Sequence, residues 1–272
     1  MSTLSGVSEL VAAKELLGNL TLRELRGKYK RTALGWGWSL LNPLAMMATY
    51  SLVFSVLLKV KPPIGAGGLR NYPLFLLCAL LPWTFVSSSM VSGMESLVLN
   101  ANLVKKTYFR REVLVVATVL SFLASFLTEM GVLLIAFLAF DAMILPWLVP
   151  VLLLMILLLV FVTGVALGLS VLNVYYRDAR YLVGIFMQLW FYATPILYPL
   201  NLVTGSSLPR WVIDVYQVNP MVGFVESMRD LLYSRQIPSL ATLGYLLVVS
   251  LVAYVAGSAL FTRLEGRLAE EL

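Results

Sequence analysis

Five basic side chains, Arg23, Arg26, Lys28, Lys30 and Arg31, fall within nine residues of one another, and Trp36 and Trp38 follow closely. Guanidinium groups present paired N–H donors that match phosphate oxygens, and lysine adds a compact point charge. Indole rings collect at the membrane–water boundary. The combination suits the headgroup of an anionic lipid-linked cargo, bound at the mouth of an apolar segment. It also suits a plain anchor, because each basic residue near an anionic leaflet contributes about 1 kcal/mol.

Other chemistry-bearing residues are sparse. Histidine is absent, which removes the commonest general acid–base and metal ligand. The single cysteine, Cys78, lies in the apolar run "NYPLFLLCALLPWTFV" and reads as a core or lipid-facing residue. Zinc sites of the Cys/His type are therefore excluded, and no metal ligand set is expected. Gly27-Lys28 is followed by Tyr29 and lacks the preceding glycine of a phosphate loop. Gly35 and Gly37 lack a dinucleotide fingerprint's third glycine, because Leu40 stands in its place. The acids are scattered singly, with no D-x-D or E-x-x-H arrangement for transfer chemistry. Glu129 alone is placed for an intramembrane role, as a proton relay or as a carboxyl hydrogen-bonded inside a bundle.

These residues must be positioned by membrane helices. Hydrophobic residues make up 60% of the 272 positions and charged ones only 12%, against about a quarter in soluble domains. Residues 142–176 contain no Asp, Glu, Lys or Arg. About 20 apolar residues cross the hydrocarbon core, and six stretches qualify: 39–59, 72–94, 113–140, 145–172, 181–202 and 239–261. The runs are continuously apolar rather than alternating, which favours a helical bundle over a barrel. Asp141 and Pro146 mark a tight turn between the third and fourth. The fold class expected is all-α and integral to the membrane, one domain over 1–272, with 1–38 as an interfacial segment.

No cleavable signal peptide is visible; Val7, Leu10, Val11, Leu17 and Leu20 instead predict an amphipathic interfacial helix. Of the 20 Lys and Arg, 14 lie in the N-terminal region, the 95–112 and 173–180 loops and the C-terminal tail. The positive-inside rule then places both termini in the cytoplasm. The 203–238 segment faces outward, where "NPMVGFVESMRDLLYS" sets Val222, Val225, Met228 and Leu232 on one helical stripe. Glu226 and Arg229 can pair there at i,i+3, worth a few tenths of a kcal/mol on an exposed face. Periodicity leaves open whether that helix dips into the bundle or stays solvated.

With no nucleotide-binding motif in this chain, energy should come from another polypeptide acting on the cytoplasmic surfaces. The loop "ESLVLNANLVKKTYFRREVL" mixes Leu97, Leu103, Val104, Tyr108 and Phe109 with Lys105, Lys106, Arg110 and Arg111. That pattern suits an amphipathic helix docking on a soluble partner, or one lying on anionic lipid. "LNVYYRDARYLVG" repeats the theme with Tyr175, Tyr176, Arg177, Asp178 and Arg180.

Five motifs together resemble one family. "LRGKYKRTALGWGWSLLNPL" is similar to the opening segment of ABC-2 type permeases that export lipid-linked polysaccharides: O-antigen, capsule, galactan and teichoic acid. "NANLVKKTYFRREVL" resembles their first coupling helix and "LNVYYRDARYLV" their second cytoplasmic turn. "ATPILYPL" resembles the end of their fifth span and "VNPMVGFVESMRDLL" their outer gate helix. The motifs follow the family's order along nearly the whole chain.

The resemblance implies a homodimer in the bacterial plasma membrane, paired with two copies of a separate ATP-binding subunit. This chain would bind no cofactor; ATP and Mg would be used by the partner. The cargo would be a glycan on undecaprenyl diphosphate, moved from the inner to the outer leaflet through a channel lined by spans one and five. Channel residues would be Tyr50, Phe54, Trp190, Phe191, Tyr192 and Tyr198, with Trp36, Trp38 and Trp83 as further glycan-facing aromatics. The ATPase would couple through Asn102, Lys105, Lys106, Tyr108, Phe109, Arg110, Arg177 and Asp178. Pro195, Asn219, Pro220, Glu226 and Arg229 would form the outer gate, between spans five and six. A permease for a smaller amphiphile or drug would share these surfaces, and a membrane enzyme acting on polyprenyl-phosphate sugars is the rival from another class.

Overall fold

The computed structural model describes residues 14–30, 32, 34, 35, 37–106, 109–140 and 144–271. The expected positions Val7, Leu10, Val11, Arg31, Trp36, Tyr108 and Asp141 lie outside them. Among the described residues the regular structure is entirely helical.

In chain order the helices are α1 (Lys14–Tyr29), α2 (Gly37–Tyr50, continued as a π-helical turn over Ser51–Leu57), α3 (Tyr72–Leu99), α4 (Ala101–Lys106) and α5 (Glu112–Ala139). Then follow α6 (Leu148–Tyr175, preceded by a 3-10 turn at Leu145–Trp147), α7 (Ala179–Tyr192), α8 (Asn201–Thr204) and α9 (Arg210–Val218). The last are α10 (Pro220–Arg229, continued as a π-helical turn over Asp230–Ser234), α11 (Leu240–Leu264) and α12 (Leu268–Glu271). Five described stretches are long and apolar enough to cross a membrane: Gly37–Leu57, Tyr72–Leu99, Glu112–Ala139, Leu145–Tyr175 and Leu240–Leu264.

Their boundaries have local causes. The Asn71 side chain accepts from the Leu74 N–H at 3.2 Å, capping α3, whose first turn also carries Pro73. Ser239 caps α11 by accepting from the Thr242 N–H at 3.1 Å. Helix α3 is the central element: most of its length is buried, and α5, α6, α7 and α10 all pack against it.

Small residues bring backbones together. A Cβ added to Gly257 on α11 would overlap the Gly164 carbonyl of α6, and one added to Gly164 would overlap the backbone at Ala253 and Tyr254. Helix association in lipid relies on such close packing, because lipid tails are as apolar as the side chains. Gly93 of α3 likewise seats Ala166 of α6, and Phe85 stacks on Phe126 at 4.9 Å between α3 and α5.

Two ends can be told apart by their contacts. At one, Arg23 of α1 donates to the Asn100 side chain at 2.7 Å, and Tyr175 donates to the Leu264 carbonyl at 3.1 Å. At the other, the Tyr233 hydroxyl donates to the carbonyls of Pro63 and Leu69 and accepts from the Asn71 N–H.

The stretch expected to span at 181–202 is not one helix. Helix α7 stops at Tyr192 after 14 residues, a rise of about 21 Å against the ~30 Å of hydrocarbon. Pro195 cannot donate within a helix and biases Thr194 away from helical geometry, so the chain turns through 193–200 instead. The 203–238 segment, expected to face outward, also departs from a solvated loop. Val222, Val225, Met228 and Leu232 are all buried, and α10 packs against α3, α6 and α11.

Candidate functional site

Helix α1 sorts the basic stretch by phase. Leu17, Leu20, Thr21, Leu25 and Lys28 fall at helical spacing on the side that packs on α5, while Arg23, Arg26 and Lys30 are exposed. Arg23 also pairs with Glu24 at 2.8 Å. Lys28 is set apart: its Nζ is buried, has no hydrogen-bond partner among the described residues and stands 3.0 Å from the Phe122 ring centroid. Burial pushes the Lys28 ammonium down to about 7, against the pull of the Glu24 and Glu129 carboxylates. Glu129 itself lines an apolar groove of about 330 Å³ between α2, α3 and α5, bounded by Pro43, Met47, Leu77 and Leu133.

The aromatics expected to line a path come together around the end of α7. Tyr50 stacks on Phe191 at 6.0 Å between ring centroids, and Trp83 meets Trp190 and Phe191 edge-on, each at 5.7 Å. Tyr192 contacts Phe191 at 5.2 Å and turns outward, largely exposed. Phe54 packs half-buried against the core, and Trp38 is exposed at the start of α2. Phe186, which sequence reasoning missed, joins Trp190 at 5.1 Å; its i,i+4 spacing was the available signal. Most of these rings face one another, with Trp83 buried at the centre and Tyr192 and Phe186 exposed at the edge.

The turn after α7 is held by side chains from the segment that follows it. Buried carbonyls need partners, and each one from Ala193 to Tyr198 has one. Ala193 accepts from Asn219 Nδ2 at 2.9 Å, Thr194 from the Ile196 N–H at 2.7 Å and Leu197 from the Tyr72 hydroxyl at 2.7 Å. The remaining three belong to Arg229: Pro195 at 2.6 Å, Ile196 at 2.8 Å and Tyr198 at 3.5 Å. The same guanidinium pairs with Glu226 at 2.7 Å, donates from Nε to the Phe75 carbonyl and lies 3.7 Å from the Phe75 ring centroid. An arginine's five donors in one plane suit this task, where a lysine's single nitrogen would not.

Asn219 completes the arrangement. It caps α10 by accepting from the Met221 N–H at 3.0 Å, with Pro220 in the first turn. Its Oδ1 also accepts from Trp190 Nε1 at 2.8 Å, and its Nδ2 reaches Thr194 Oγ1 at 3.3 Å. Tyr198 donates to the Tyr192 carbonyl at 2.7 Å and lies 3.2 Å from the hydroxyl of Tyr216, another residue sequence reasoning passed over. Aromatic cluster, broken turn and α10 are thus one hydrogen-bonded unit.

At the opposite end, Asn102, Lys105 and Lys106 of α4 are exposed, as are Arg177 and Asp178 before α7. Phe109 and Arg110 are half-buried, and Arg110 pairs with Glu112 at 2.7 Å. Arg180 lies over the Tyr181 ring and donates to its hydroxyl at 2.6 Å. Basic and aromatic groups share an exposed surface here, which suits a protein partner or a lipid headgroup layer.

A family model described as ABC-2 type transporter matches residues 15–233. The chain is similar to the O-antigen export system permease protein RfbA of Myxococcus xanthus, with 30% identity over 272 residues and 98% of each chain covered. It is similar to a Klebsiella pneumoniae protein of the same name, with 31% identity over 260 residues and 95% of each chain covered. Polysialic acid transport protein KpsM of Escherichia coli is 24% identical, over 92% of this chain and 93% of that one. The family match takes in the basic helix, the aromatic cluster, the broken turn and α10 together, and the chain belongs to the ABC-2 type transporter family.

Proposed function

We propose that this chain is the permease subunit of an ATP-driven exporter that moves an undecaprenyl-diphosphate-linked polysaccharide from the inner to the outer leaflet of a bacterial plasma membrane. The observation that carries the cargo class is the near full-length similarity to O-antigen export permeases. The energy source is a separate ATP-binding subunit, two copies of which engage α4 and the 176–178 turn of a homodimer. Both termini lie in the cytoplasm, and ATP and Mg belong to the partner.

In this reading Arg23, Arg26 and Lys30, with Arg31, meet the diphosphate at the inner surface, and Trp36 and Trp38 meet the first sugars. The glycan slides past Tyr50, Trp190, Phe191, Tyr192 and Tyr198, with the buried Trp83 backing Trp190 and Phe191. Helix α7 and the segment after the turn together make the remaining crossing, giving six spans, and α8 to α10 form the outer gate. Exposed apolar side chains on α7, among them Leu182, Ile185 and Leu189, support a second copy facing this side.

The test is reconstitution with the ATP-binding subunit in proteoliposomes. ATPase activity stimulated more by a polyprenyl-diphosphate glycan than by simple drugs supports the reading, and the reverse ranking favours a small-amphiphile permease. Glycosyl turnover by the chain alone would overturn both.

A further inference from the structure

The last turn of α11 ends against both surfaces assigned above to the ATPase. A helix leaves its final four carbonyls without intrahelical partners, and its C-terminus carries negative partial charge. Side chains from two other elements meet that end, Tyr175 at the last residue of α11 and Arg111 at the residue after it, whose carbonyl also accepts from the Leu268 N–H. The Tyr175 hydroxyl donates to the Leu264 carbonyl at 3.1 Å, and the Arg111 guanidinium donates to the Glu265 carbonyl.

The donors sit at informative places. Tyr175 is the last residue of α6, directly before the 176–178 turn. Arg111 precedes α5 and closes the segment that contains α4. Beyond Glu265 the chain makes one more turn, and Leu268 of α12 is fully buried where α12 packs on α4 and α6. Val104 of α4 is buried as well. A six-residue helix such as α4 does not hold its own shape in water, so its position comes from such contacts.

We propose that Arg111 and Tyr175 are positioning residues that seat both partner-facing turns on the C-terminus of α11, so that the two turns transmit ATPase motion as one body. This rests on the assignment of those turns to an ATP-binding subunit. Neither residue needs to touch that subunit: each acts by tying its own turn to a shared helix end.

Two measurements test it on the full chain, using Tyr175→Phe, which removes only the hydroxyl, Arg111→Gln, and the double variant. In the reconstituted complex, glycan exported per ATP hydrolysed should fall about fivefold in the double variant. Subunit ratio and thermal midpoint should match the wild type, and Arg111→Lys should recover part of the loss. An unchanged export-to-hydrolysis ratio overturns the proposal, as does a loss that only tracks falling subunit ratio or midpoint. In the chain without any partner, hydrogen exchange should speed up at both 101–106 and 176–180 for either single variant. If each variant loosens only its own turn, the shared seat is wrong. Should the wild-type chain fail to associate with an ATP-binding subunit, the proposed function falls, and the exchange measurement still decides the seat.

Discussion

The indole N–H of Trp190 donates to the carboxamide oxygen of Asn219 at 2.8 Å, joining the last turn of α7 to the first residue before α10. Asn219 uses both of its donors and accepts twice. Replacing it with alanine strands an indole N–H, a helix N-terminal N–H and the Ala193 carbonyl. The indole and Met221 N–H groups are part-buried, where an unpaired group costs up to about 1–3 kcal/mol, while the exposed Ala193 carbonyl can turn to solvent. Asn219→Ala should therefore lower the thermal midpoint clearly in nanodiscs, and Trp190→Phe, which loses one bond, should lower it less.

Arg229 should tolerate no conservative change. Arg229→Lys keeps the charge but loses the planar fork, leaving at least one carbonyl of the broken turn without a donor. Arg229→Met also leaves the Glu226 carboxylate without its partner, and breaking such a pair from one side costs about 3–5 kcal/mol when buried. Glu226 is part-exposed, so the loss should sit at the lower end of that range. Folded yield should rank wild type, Arg229→Lys, Arg229→Met, and Arg229→Met combined with Glu226→Gln should recover part of the deficit in a double-variant cycle.

Stability should rise with pH because of Lys28. Burial holds its ammonium down to about 7, against 10.5 for an ordinary lysine. Between those values the unfolded chain binds the proton more than the folded chain does, so folding is favoured increasingly as pH rises and is least favoured below 7. Lys28→Met should flatten the rise. Thermal midpoints at three pH values from 6.5 to 9.5, on both proteins, check the sign.

Gly257→Ala should damage the bundle far more than alanine does elsewhere in α11. The added methyl meets backbone, not a side chain that can rotate away. Overpacking typically costs about 1–3 kcal/mol. A matched Gly244→Ala, in open space on the same helix, should leave folded yield near that of the wild type.

Arg26→Ala should weaken the response to cargo and spare insertion. A hydrogen bond to a charged group contributes about 1.5–3 kcal/mol. The glycan concentration that half-stimulates the ATPase should rise about tenfold, while protease protection of the reconstituted chain stays unchanged. A change in insertion or orientation alone would assign the stretch to anchoring.

Long apolar runs made most of the bundle readable from composition. Expected spans at 72–94, 113–140, 145–172 and 239–261 meet helices that differ by a few residues, because side-chain hydropathy and caps such as Asn71 and Ser239 act locally. Pro195 beside Thr194 pointed to a kinked or broken helix within an otherwise apolar "FYATPILYPL", but what holds the turn was not readable, because it comes from Arg229, over thirty residues away. Glu226 and Arg229 were recognisable as a pair, but spacing says nothing about burial, so their energetic weight was invisible. Lys28 looked like its neighbours by type, yet it continues the stripe of Leu17, Leu20 and Leu25, and helical phase distinguishes it from Arg26 and Lys30.

The backbone contact between Gly164 and Gly257 locks two helices into one register. Two helices seated glycine to glycine cannot slide or roll past each other by a fraction of a turn without driving a neighbouring Cβ into backbone. Helices α6 and α11 are therefore packed to shift together, as one body, rather than past each other. Helices α2 and α7 carry no such lock: their flanks are broadly exposed, and their meeting point is a ring pair, Tyr50 on Phe191, which leaves the register free.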